Sequence, residues 1–403
     1  MVPARTLYPH QWSWDAAFIS IGLVHIAPDR AWQELHSLFE AQWPDGRVPH
    51  IVFDPGVPEK NYFPGPAFWE VPPIPGKAVR TTGIVQPPVH ALAALLVHRA
   101  YPDLTALRRL YPKLVAQQEY LAKHRDAGGA GLACIVHPWE SGLDNSPAWD
   151  ATLARIPADA SVLERYIRRD TAVSVASHRP TNADYCRFIA LAQAYRDSGY
   201  RDFDLPDRHA FVVECPAFNA LYADAEHALA AIATEVGADP EPHRERAAFI
   251  RRVMVDRLYH PATGLFHALD VRTHELSPER CISGLLPLLL PDLPPSIAGS
   301  LVAEAASPRF GFPGPLPSYD RTAPGFDPLR YWRGPAWINV NWLLLRGLRQ
   351  HGYRREADGL RTAMLELIER SGCYEYFHPT TGEGIGTAEF SWTAALALDM
   401  LAT

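Results

Sequence analysis

The feature that most constrains the fold is a helical spacing of apolar residues, which recurs in pairs of adjacent segments. Apolar side chains return every three or four positions, and this spacing predicts helices at 14–27, 28–42, 89–101, 104–125, 185–197, 218–236, 242–258, 283–290, 295–306, 335–351, 354–370 and 388–401. Short connections join many neighbours, as between 14–27 and 28–42, and such connections predict antiparallel helical hairpins.

Two long irregular segments interrupt the helical pattern, at about 44–84 and about 148–180. Pro and Gly recur every few residues in the first, which also contains the aromatic residues Tyr62 and Trp69. Irregular segments of this length inside a compact domain are usually disordered or functional, and the aromatic residues favour a functional lid.

Together these patterns predict an all-α protein of about twelve paired helices with almost no strands. Tight turns on one side and long loops on the other favour an (α/α)6 barrel, or toroid, whose loops form the active-site rim. The chain has 403 residues and no low-complexity linker, so residues 1–403 are expected to form one catalytic domain.

Charge and cysteine content exclude several classes of protein. The net charge is -7 with scattered Lys and Arg, which argues against nucleic-acid or membrane partners. The five Cys are far apart and odd in number, which predicts neither disulfides nor a zinc site. The amino terminus has no apolar signal region, and the apolar run 285–290 is too short to span a bilayer, so a cytoplasmic location is expected.

Common metal, nucleotide and nucleophile motifs are missing from the sequence, including His-Glu-x-x-His, the P-loop, Gly-x-Gly-x-x-Gly and Gly-x-Ser-x-Gly. We therefore expect no metal and no cofactor. Asp and Glu side chains therefore remain as the candidate catalytic groups.

The segment 137–147 is the strongest candidate for an active-site loop. It reads His-Pro-Trp-Glu-Ser-Gly-Leu-Asp-Asn-Ser-Pro, and its Pro residues oppose both helix and strand. Trp139 is suited to form an apolar wall that raises the pKa of Asp144, as a general acid requires. The alternative is a helix-capping Asp beside a core Trp, and the residues alone leave both open.

Three further clusters contain groups suited to bind a sugar. In Gln-Trp-Ser-Trp-Asp, Trp12 and Trp14 can stack on a pyranose and Asp15 can accept hydroxyl hydrogen bonds; a helix-start carboxylate is the alternative. Gln86 can donate to the same sugar or simply begin a helix. Glu389 is predicted in the first turn of the last helix, where the dipole favours a charged base but also explains the residue without any function.

Arginine and aromatic residues supply candidates for anion binding. Arg179 is a donor fork suited to a carboxylate or phosphate, and Tyr185 is placed to assist it; solvent exposure of a lone Arg is the alternative. The segment 330–337 contains Tyr331 and Trp332 before a helix, with a buried aromatic cluster as its alternative interpretation.

The ordered set Gln-Trp-Ser-Trp-Asp, Gln-Pro-Pro, Trp-Glu-Ser-Gly-Leu-Asp-Asn-Ser-Pro, Tyr-Trp-Arg-Gly-Pro-Ala-Trp and Ala-Glu-Phe-Ser-Trp resembles glycoside hydrolase family 63, of the bacterial mannosylglycerate and glucosylglycerate hydrolase type. The resemblance runs from Tyr8 to Trp392. It implies an (α/α)6 barrel, with Asp144 as general acid and Glu389 as the base that activates water. It also implies a set of substrate-binding residues: Tyr8, Trp12, Trp14, Asp15, Tyr62 in the flap, Gln86, Trp139, Gly142, Arg179, Tyr185, Tyr331 and Trp332.

The resemblance implies an inverting α-glycoside hydrolase that cleaves a small anionic α-glycoside, glucosylglycerate or mannosylglycerate, to hexose and glycerate. Inversion requires carboxyl groups about 6.5 to 9.5 Å apart. An α-glucosidase of neutral oligosaccharides and a non-catalytic sugar-binding toroid remain as alternatives. The expected partner is a small-molecule glycoside, and a homo-oligomer is compatible with the sequence.

Overall fold

The fold consists mainly of helices: the long ones lie where the apolar spacing predicts them, and short ones of four or five residues occur outside the predicted ranges. The computed structural model describes residues 1–166 and 168–403. The α-helices in these ranges are α1 (Ser13–Leu23), α2 (Pro28–Glu40), α3 (Pro66–Trp69), α4 (His90–Ala100), α5 (Leu104–His124), α6 (Asp150–Ala154), α7 (Ser161–Arg165), α8 (Asp170–Val173), α9 (Asn182–Asp197), α10 (Leu205–Arg208), α11 (Pro216–Val236), α12 (Glu241–Leu258), α13 (Pro295–Ala305), α14 (Ile338–Gln350), α15 (Arg354–Ser371) and α16 (Ser391–Ala402). The prediction of a largely helical chain is confirmed.

Short strands of two or three residues form four small sheets between the helices. The strands are β1 (Gln11–Trp12), β2 (Ile51–Phe53), β3 (Arg80–Thr81), β4 (Cys134–Ile135), β5 (Val213–Glu214), β6 (Tyr259–His260), β7 (Leu265–Phe266), β8 (Leu269–Asp270), β9 (Glu275–Leu276), β10 (Tyr376–Phe377) and β11 (Gly384–Ile385). All pairs are antiparallel. Strands this short show no alternation, so the sequence did not indicate them.

Inner and outer helices differ in which faces they bury. Helix α1 buries every residue from Ser13 to Gly22, as expected of a helix surrounded by others. Helix α2 buries one stripe of side chains, which includes Trp32, Leu35 and Phe39. This stripe repeats every three or four residues, because an amphipathic helix packs only one face against the core.

The inner elements make a closed cycle of contacts. Helix α1 packs against α4 and α16, α11 packs against α4 and the 3-10 turn Leu286–Leu289, and α14 packs against that turn and α16. Helices α2, α5, α12 and α15 pack outside on α1, α4, α11 and α14, respectively. Gly22 permits the closest approach in the cycle, since a Cβ there would lie 2.0 Å from the carbonyl oxygen of Ala395 in α16.

A second hydrophobic cluster lies apart from the main core and covers one end of the cycle. It contains side chains from the 44–84 insertion, from β4 and from α9, including Ile51, Trp69, Cys134 and Ile189. The insertion is therefore ordered by its own apolar contacts. Helix α9, which was counted among the paired helices, packs instead in this covering layer against α3 and α7.

Two predicted helices differ in the structure. The segment predicted as a helix at 283–290 forms the 3-10 turns Ile282–Gly284 and Leu286–Leu289, because Pro287 lacks an amide hydrogen and its ring disfavours a continuous α-helix. The last helix begins at Ser391 rather than 388, and Glu389 precedes it with a φ of 55°. The prediction that Glu389 lies in its first turn is therefore wrong. Among the residues described, no helix combines the length and the apolar character needed to cross a membrane.

Candidate active site

A cavity opens where the amino-terminal ends of several inner helices meet. Trp12 directly precedes α1, Trp337 precedes α14 and Phe390 precedes α16, and all three line the cavity. The predicted residues that also line it are Tyr8, Trp12, Trp14, Asp15, Tyr62, Gln86, Trp139, Gly142, Asp144, Arg179, Tyr185, Tyr331 and Trp332. Residues from the whole length of the chain therefore meet in one site.

Asp144 lies in a loop whose shape depends on Gly142. Gly142 has a φ of 70°, and a Cβ on it would lie 2.4 Å from the ring of Trp14, so only glycine fits both the backbone and the contact. The indole N–H of Trp149 donates to the Asp144 carbonyl at 3.0 Å. The loop thus holds the Asp144 backbone in one position.

The environment of the Asp144 carboxyl group favours its protonated form. Burial raises the pKa of Asp144 to about 7, against the opposing effect of Arg179, and the charges of Glu375 and Asp170 add to the increase. A carboxyl group that retains its proton near neutral pH can act as a general acid.

Trp139 forms one wall of the cavity, as predicted. Its ring lies parallel to that of His50, with 6.3 Å between centroids, and is only partly buried. His50 also lines the cavity but was not predicted. Burial lowers the pKa of His50 to about 3, so this imidazole is neutral at neutral pH.

Gln86 and Asp15 lie beside the two predicted tryptophans. The Gln86 side-chain carbonyl accepts a hydrogen bond from the backbone N–H of Trp14 at 3.1 Å. Gln86 therefore binds an amide at the start of α1, rather than of the helix that follows it in the chain, and it also lines the cavity. Burial raises the pKa of Asp15 well above its ordinary value, and the nearby Glu375 and Asp144 carboxylates contribute.

Arg179 is buried in the cavity wall with several acidic and aromatic partners. Its Nη2 donates to the Tyr8 hydroxyl at 2.8 Å, its Nη1 donates to Glu375 Oε1 at 3.3 Å, and its Nε lies 3.6 Å from Asp170. The guanidinium carbon lies 3.9 Å from the centre of the Tyr331 ring. The interpretation of Arg179 as a lone solvated residue is thus excluded.

Tyr185 lines the same cavity, but its closest cation differs from the predicted one. The guanidinium of Arg168 lies over the Tyr185 ring at 4.6 Å. Arg168 also binds Asp170 with both its Nε and its Nη2, at 3.1 and 2.6 Å. Tyr185 therefore supports the Arg168–Asp170 pair, which is next to Arg179, rather than Arg179 itself.

The structure does not place Glu389 in the cavity. The Glu389 side chain is exposed to solvent, and the residue is not part of the cavity lining. Its neighbour Phe390 is 2 % exposed and takes the place in the wall. The predicted placement of Glu389 is wrong because the backbone turns at this residue, ahead of α16, and directs Phe390 inward.

The carboxylate that does line the cavity together with Asp144 is Glu375. It is 1 % exposed, and its Oε1 accepts from the Tyr8 hydroxyl at 2.6 Å while its Oε2 accepts from the Thr387 N–H at 3.3 Å. A Cβ on Gly386 would lie 2.4 Å from Glu375 Oε2. Gly386 thus leaves room for Glu375, and the pair Gly384 and Gly386 is the sequence signal that could have pointed to a residue packed closely against this segment.

Several other cavity residues were also missed by the sequence. They supply mainly aromatic surface and one acidic group: His50, Phe63, Trp69, Asp170, Phe188, Trp337, Phe390 and Trp392. The Trp337 ring stacks on that of Trp332 with 3.8 Å between centroids. The 330–337 segment is therefore a buried aromatic cluster that also lines the cavity, which combines its two interpretations.

Comparison with known proteins gives matches over nearly the whole chain. The model of the mannosylglycerate hydrolase MGH1-like glycoside hydrolase domain matches residues 8–393. A mannosylglycerate hydrolase from Rubrobacter radiotolerans is 40% identical, over 99% of this chain and 92% of the relative. A glucosylglycerate hydrolase from Mycolicibacterium hassiacum is 36% identical, over 99% of this chain and 93% of the relative. The crystal structure of a mannosylglycerate hydrolase of glycoside hydrolase family 63 from Thermus thermophilus, in complex with Tris and D-glycerate, superposes with a TM-score of 0.91 at 39% identity, over 100% of this chain and 95% of that one.

Proposed function

Because the chain belongs to the mannosylglycerate hydrolase MGH1-like family of glycoside hydrolases, we propose that it cleaves the α-glycosidic bond of glucosylglycerate or mannosylglycerate to release hexose and glycerate. The family match shows that the chain is a glycoside hydrolase, and the identity of its substrate is our proposal. The observation that carries the proposal is a buried Arg179 in the same cavity as the two carboxyl groups of Asp144 and Glu375. A guanidinium in that place suits a substrate that carries a carboxylate.

We assign Asp144 as the general acid and Glu375, in place of Glu389, as the general base. Asp144 gives its proton to the glycosidic oxygen as the bond from the anomeric carbon to that oxygen breaks. Glu375 takes a proton from a water molecule, whose oxygen bonds to the anomeric carbon from the opposite face. The configuration at that carbon is inverted, and the enzyme is left with ionised Asp144 and protonated Glu375, which exchange protons with solvent before the next cycle.

The contacts of Glu375 suit the role of a base. Hydrogen bonds from the Tyr8 hydroxyl, the Thr387 N–H and Arg179 hold its carboxylate oxygens in place. The burial of Asp144 favours its protonated form, as the role of a general acid requires.

The hexose is proposed to bind among the tryptophans. Trp12, Trp14 and Trp139 offer apolar faces to the sugar ring, while Asp15 and Gln86 offer polar groups to its hydroxyls. Asp15 is 3 % exposed and Gln86 is 5 % exposed, so each would exchange few water contacts for contacts with the sugar.

The glycerate is proposed to bind at Arg179. The Tyr331 hydroxyl lies 3.4 Å from that of Tyr8, beside the guanidinium, and can donate to a carboxylate, whereas the Tyr8 hydroxyl donates to Glu375. Arg179 already contacts Glu375, so the incoming carboxylate would share that cation with the base. Asp170 is bound at two points by Arg168 and also lies 3.6 Å from Arg179 Nε, so the incoming carboxylate would share Arg179 with Asp170 as well.

The closed cycle of inner elements supports an (α/α)6 barrel, formed as one catalytic domain. Five helices and the 3-10 turn Leu286–Leu289 are proposed as its inner ring, with the 44–84 insertion and the 148–180 insertion as the rim of the cavity. A cytoplasmic location is proposed with it, because the five cysteines are free thiols and four of them are buried.

The experiment is a panel of α-glycosides with product anomers followed by NMR. Glucosylglycerate and mannosylglycerate are compared with the matched neutral glycosides of glycerol and with trehalose. Turnover of at least one glycosylglycerate and immediate appearance of the β-hexose are expected. Exclusive turnover of neutral substrates would instead indicate an oligosaccharide α-glucosidase, and initial release of the α-hexose would contradict inversion.

A further inference from the structure

A network of buried charges lies beneath the loop of Asp144, and the mechanism above does not use it. Arg125 and Glu140 are both 0 % exposed. Arg125 Nη1 donates to Glu140 Oε2 and its Nη2 donates to Glu140 Oε1, each at 2.7 Å. This two-point contact is the strongest geometry available to an Arg–carboxylate pair.

Glu140 also accepts hydrogen bonds from two backbone segments that carry site residues. The N–H of Val85, next to Gln86, donates to Oε1 at 3.1 Å, and the N–H of Val136 donates to Oε2 at 2.7 Å. Glu140 itself lies in the 3-10 turn Pro138–Ser141, four positions before Asp144. One carboxylate thus connects a segment of the sugar subsite with the loop of the acid.

A second carboxylate extends the network to the 44–84 insertion. Asp202 Oδ1 lies 3.2 Å from Arg125 Nε, and Asp202 Oδ2 accepts from Arg47 Nη2 at 2.9 Å and from the Tyr120 hydroxyl at 2.8 Å. Arg47 Nη1 donates to the carbonyl of Gly83 at 2.7 Å. The alternating charges hold both segments at a fixed distance, because every displacement would separate ions that water does not reach.

We propose that Glu140 is a positioning residue for the general acid: through Arg125 it fixes where Asp144 stands relative to the sugar held at Gln86. The inference rests on the proposed function, since it takes Asp144 as the acid. Loss of the Glu140 charge would loosen the turn that precedes Asp144. A displacement of about 1 Å at a catalytic group can lower the rate about 100-fold.

Leaving-group dependence separates a positioning role from a purely structural one. The enzyme and its Glu140→Gln variant are compared on a glycosylglycerate, whose leaving alkoxide needs a proton, and on the matching α-glycosyl fluoride, whose fluoride leaves with little proton donation. Glu140→Gln is expected to lower kcat on the glycosylglycerate about 100-fold and on the fluoride less than about threefold. Equal losses on both substrates would overturn the proposal.

Two controls keep the interpretation separate from stability and from the assignment of the acid. Glu226 is also 0 % exposed and binds His243 at 2.6 Å and Arg246 at 3.4 Å, away from the cavity. Glu226→Gln should lower Tm as Glu140→Gln does, but it should leave the ratio of kcat on the glycosylglycerate to kcat on the fluoride unchanged. Asp144→Asn should spare the fluoride; if it does not, the assignment of Asp144 fails, independently of Glu140.

A milder variant applies if Glu140→Gln does not fold. The Tyr120 hydroxyl accepts from Arg125 Nε at 2.9 Å and donates to Asp202, so Tyr120→Phe weakens the network without removing a charge. It should lower kcat on the glycosylglycerate about fivefold more than kcat on the fluoride, because the free energy of about one hydrogen bond is lost. An unchanged ratio in a folded Tyr120→Phe variant would refute the positioning role.

Discussion

Exchange of Glu375 and Glu389 for glutamine provides the sharpest test of the active site. Both changes keep the size of the side chain and remove one negative charge, but only Glu375 is buried in the cavity wall. A general base contributes about 10²- to 10⁴-fold to the rate, or about 3 to 5 kcal/mol of transition-state stabilisation. Glu375→Gln should therefore lower kcat by at least about 100-fold, whereas Glu389→Gln should stay within about twofold, as is usual for surface changes.

The contacts of Glu375 also predict an effect on folding. Its carboxylate accepts from Tyr8, Thr387 and Arg179, and an amide group would turn a donor toward at least one of these donors. In Glu375→Gln, Arg179 still has Asp170 3.6 Å away as an anionic partner. We therefore expect the free energy of unfolding to decrease by about 1 to 3 kcal/mol, which is toward the lower end for a broken buried ion pair. Thermal unfolding at a fixed pH measures it, and Glu389→Gln should leave Tm unchanged.

Rescue of a Glu375 variant by azide identifies the face of the sugar ring on which Glu375 acts. In Glu375→Ala, azide can enter the space left by the side chain and attack the anomeric carbon without a base, so the β-glycosyl azide is the expected product. The readout is kcat on a glycosylglycerate and the anomeric configuration of the azide by NMR. A severe loss in Glu389→Gln with near-normal turnover in Glu375→Gln would refute the reassignment of the base.

Three further changes test the acceptor site, the acid and the loop that holds it. Arg179→Ala should raise KM for glycosylglycerates about 10- to 100-fold and affect neutral glucosides far less, as expected for a lost charge-assisted hydrogen bond; equal effects would contradict carboxylate binding. Burial raises the pKa of Asp144 to about 7, so kcat/KM should fall as pH rises through about 7. The folded state binds this proton more tightly than the unfolded chain, so the stability of the fold decreases as pH rises from about 4 to about 7. Asp144→Asn removes the buried charge and should therefore raise Tm more at about pH 8 than at about pH 5. A larger increase at about pH 5 would exclude the effect of burial. A Cβ on Gly142 would lie 2.4 Å from the Trp14 ring, whereas a Cβ on Gly199, which has a similar φ of 71°, would meet no atom within 4 Å. Gly142→Ala should therefore lower the free energy of unfolding by about 1 to 3 kcal/mol more than Gly199→Ala does, and it should raise KM. Equal losses of Tm would show that the Trp14 contact does not matter.

Most of the cavity residues could be named from the sequence because they lie in contiguous motifs. Trp12, Trp14 and Asp15 occupy one motif, and Trp139, Gly142 and Asp144 occupy another. The first motif begins a helix and the second contains a 3-10 turn, so the residues of each motif stay close together in any packing. The same local reasoning failed for the base, because both Glu375 and Glu389 lie beside glycines and aromatic residues.

The sequence by itself determined the positions of the long helices, since a repeat of apolar side chains every three or four residues is a local property that survives in any packing. It also determined that the connections carry aromatic and acidic residues. Only the tertiary structure decided that the amino-terminal ends of the inner helices meet around one cavity, which depends on how the ring closes. It also decided which glutamate enters that cavity: the chain turns at Glu389 and buries Phe390, while Gly386, directly after β11, leaves room for Glu375. The physical reason is that the burial and the charged partners of a carboxyl group come from segments far apart in the chain, and these set its protonation and its role.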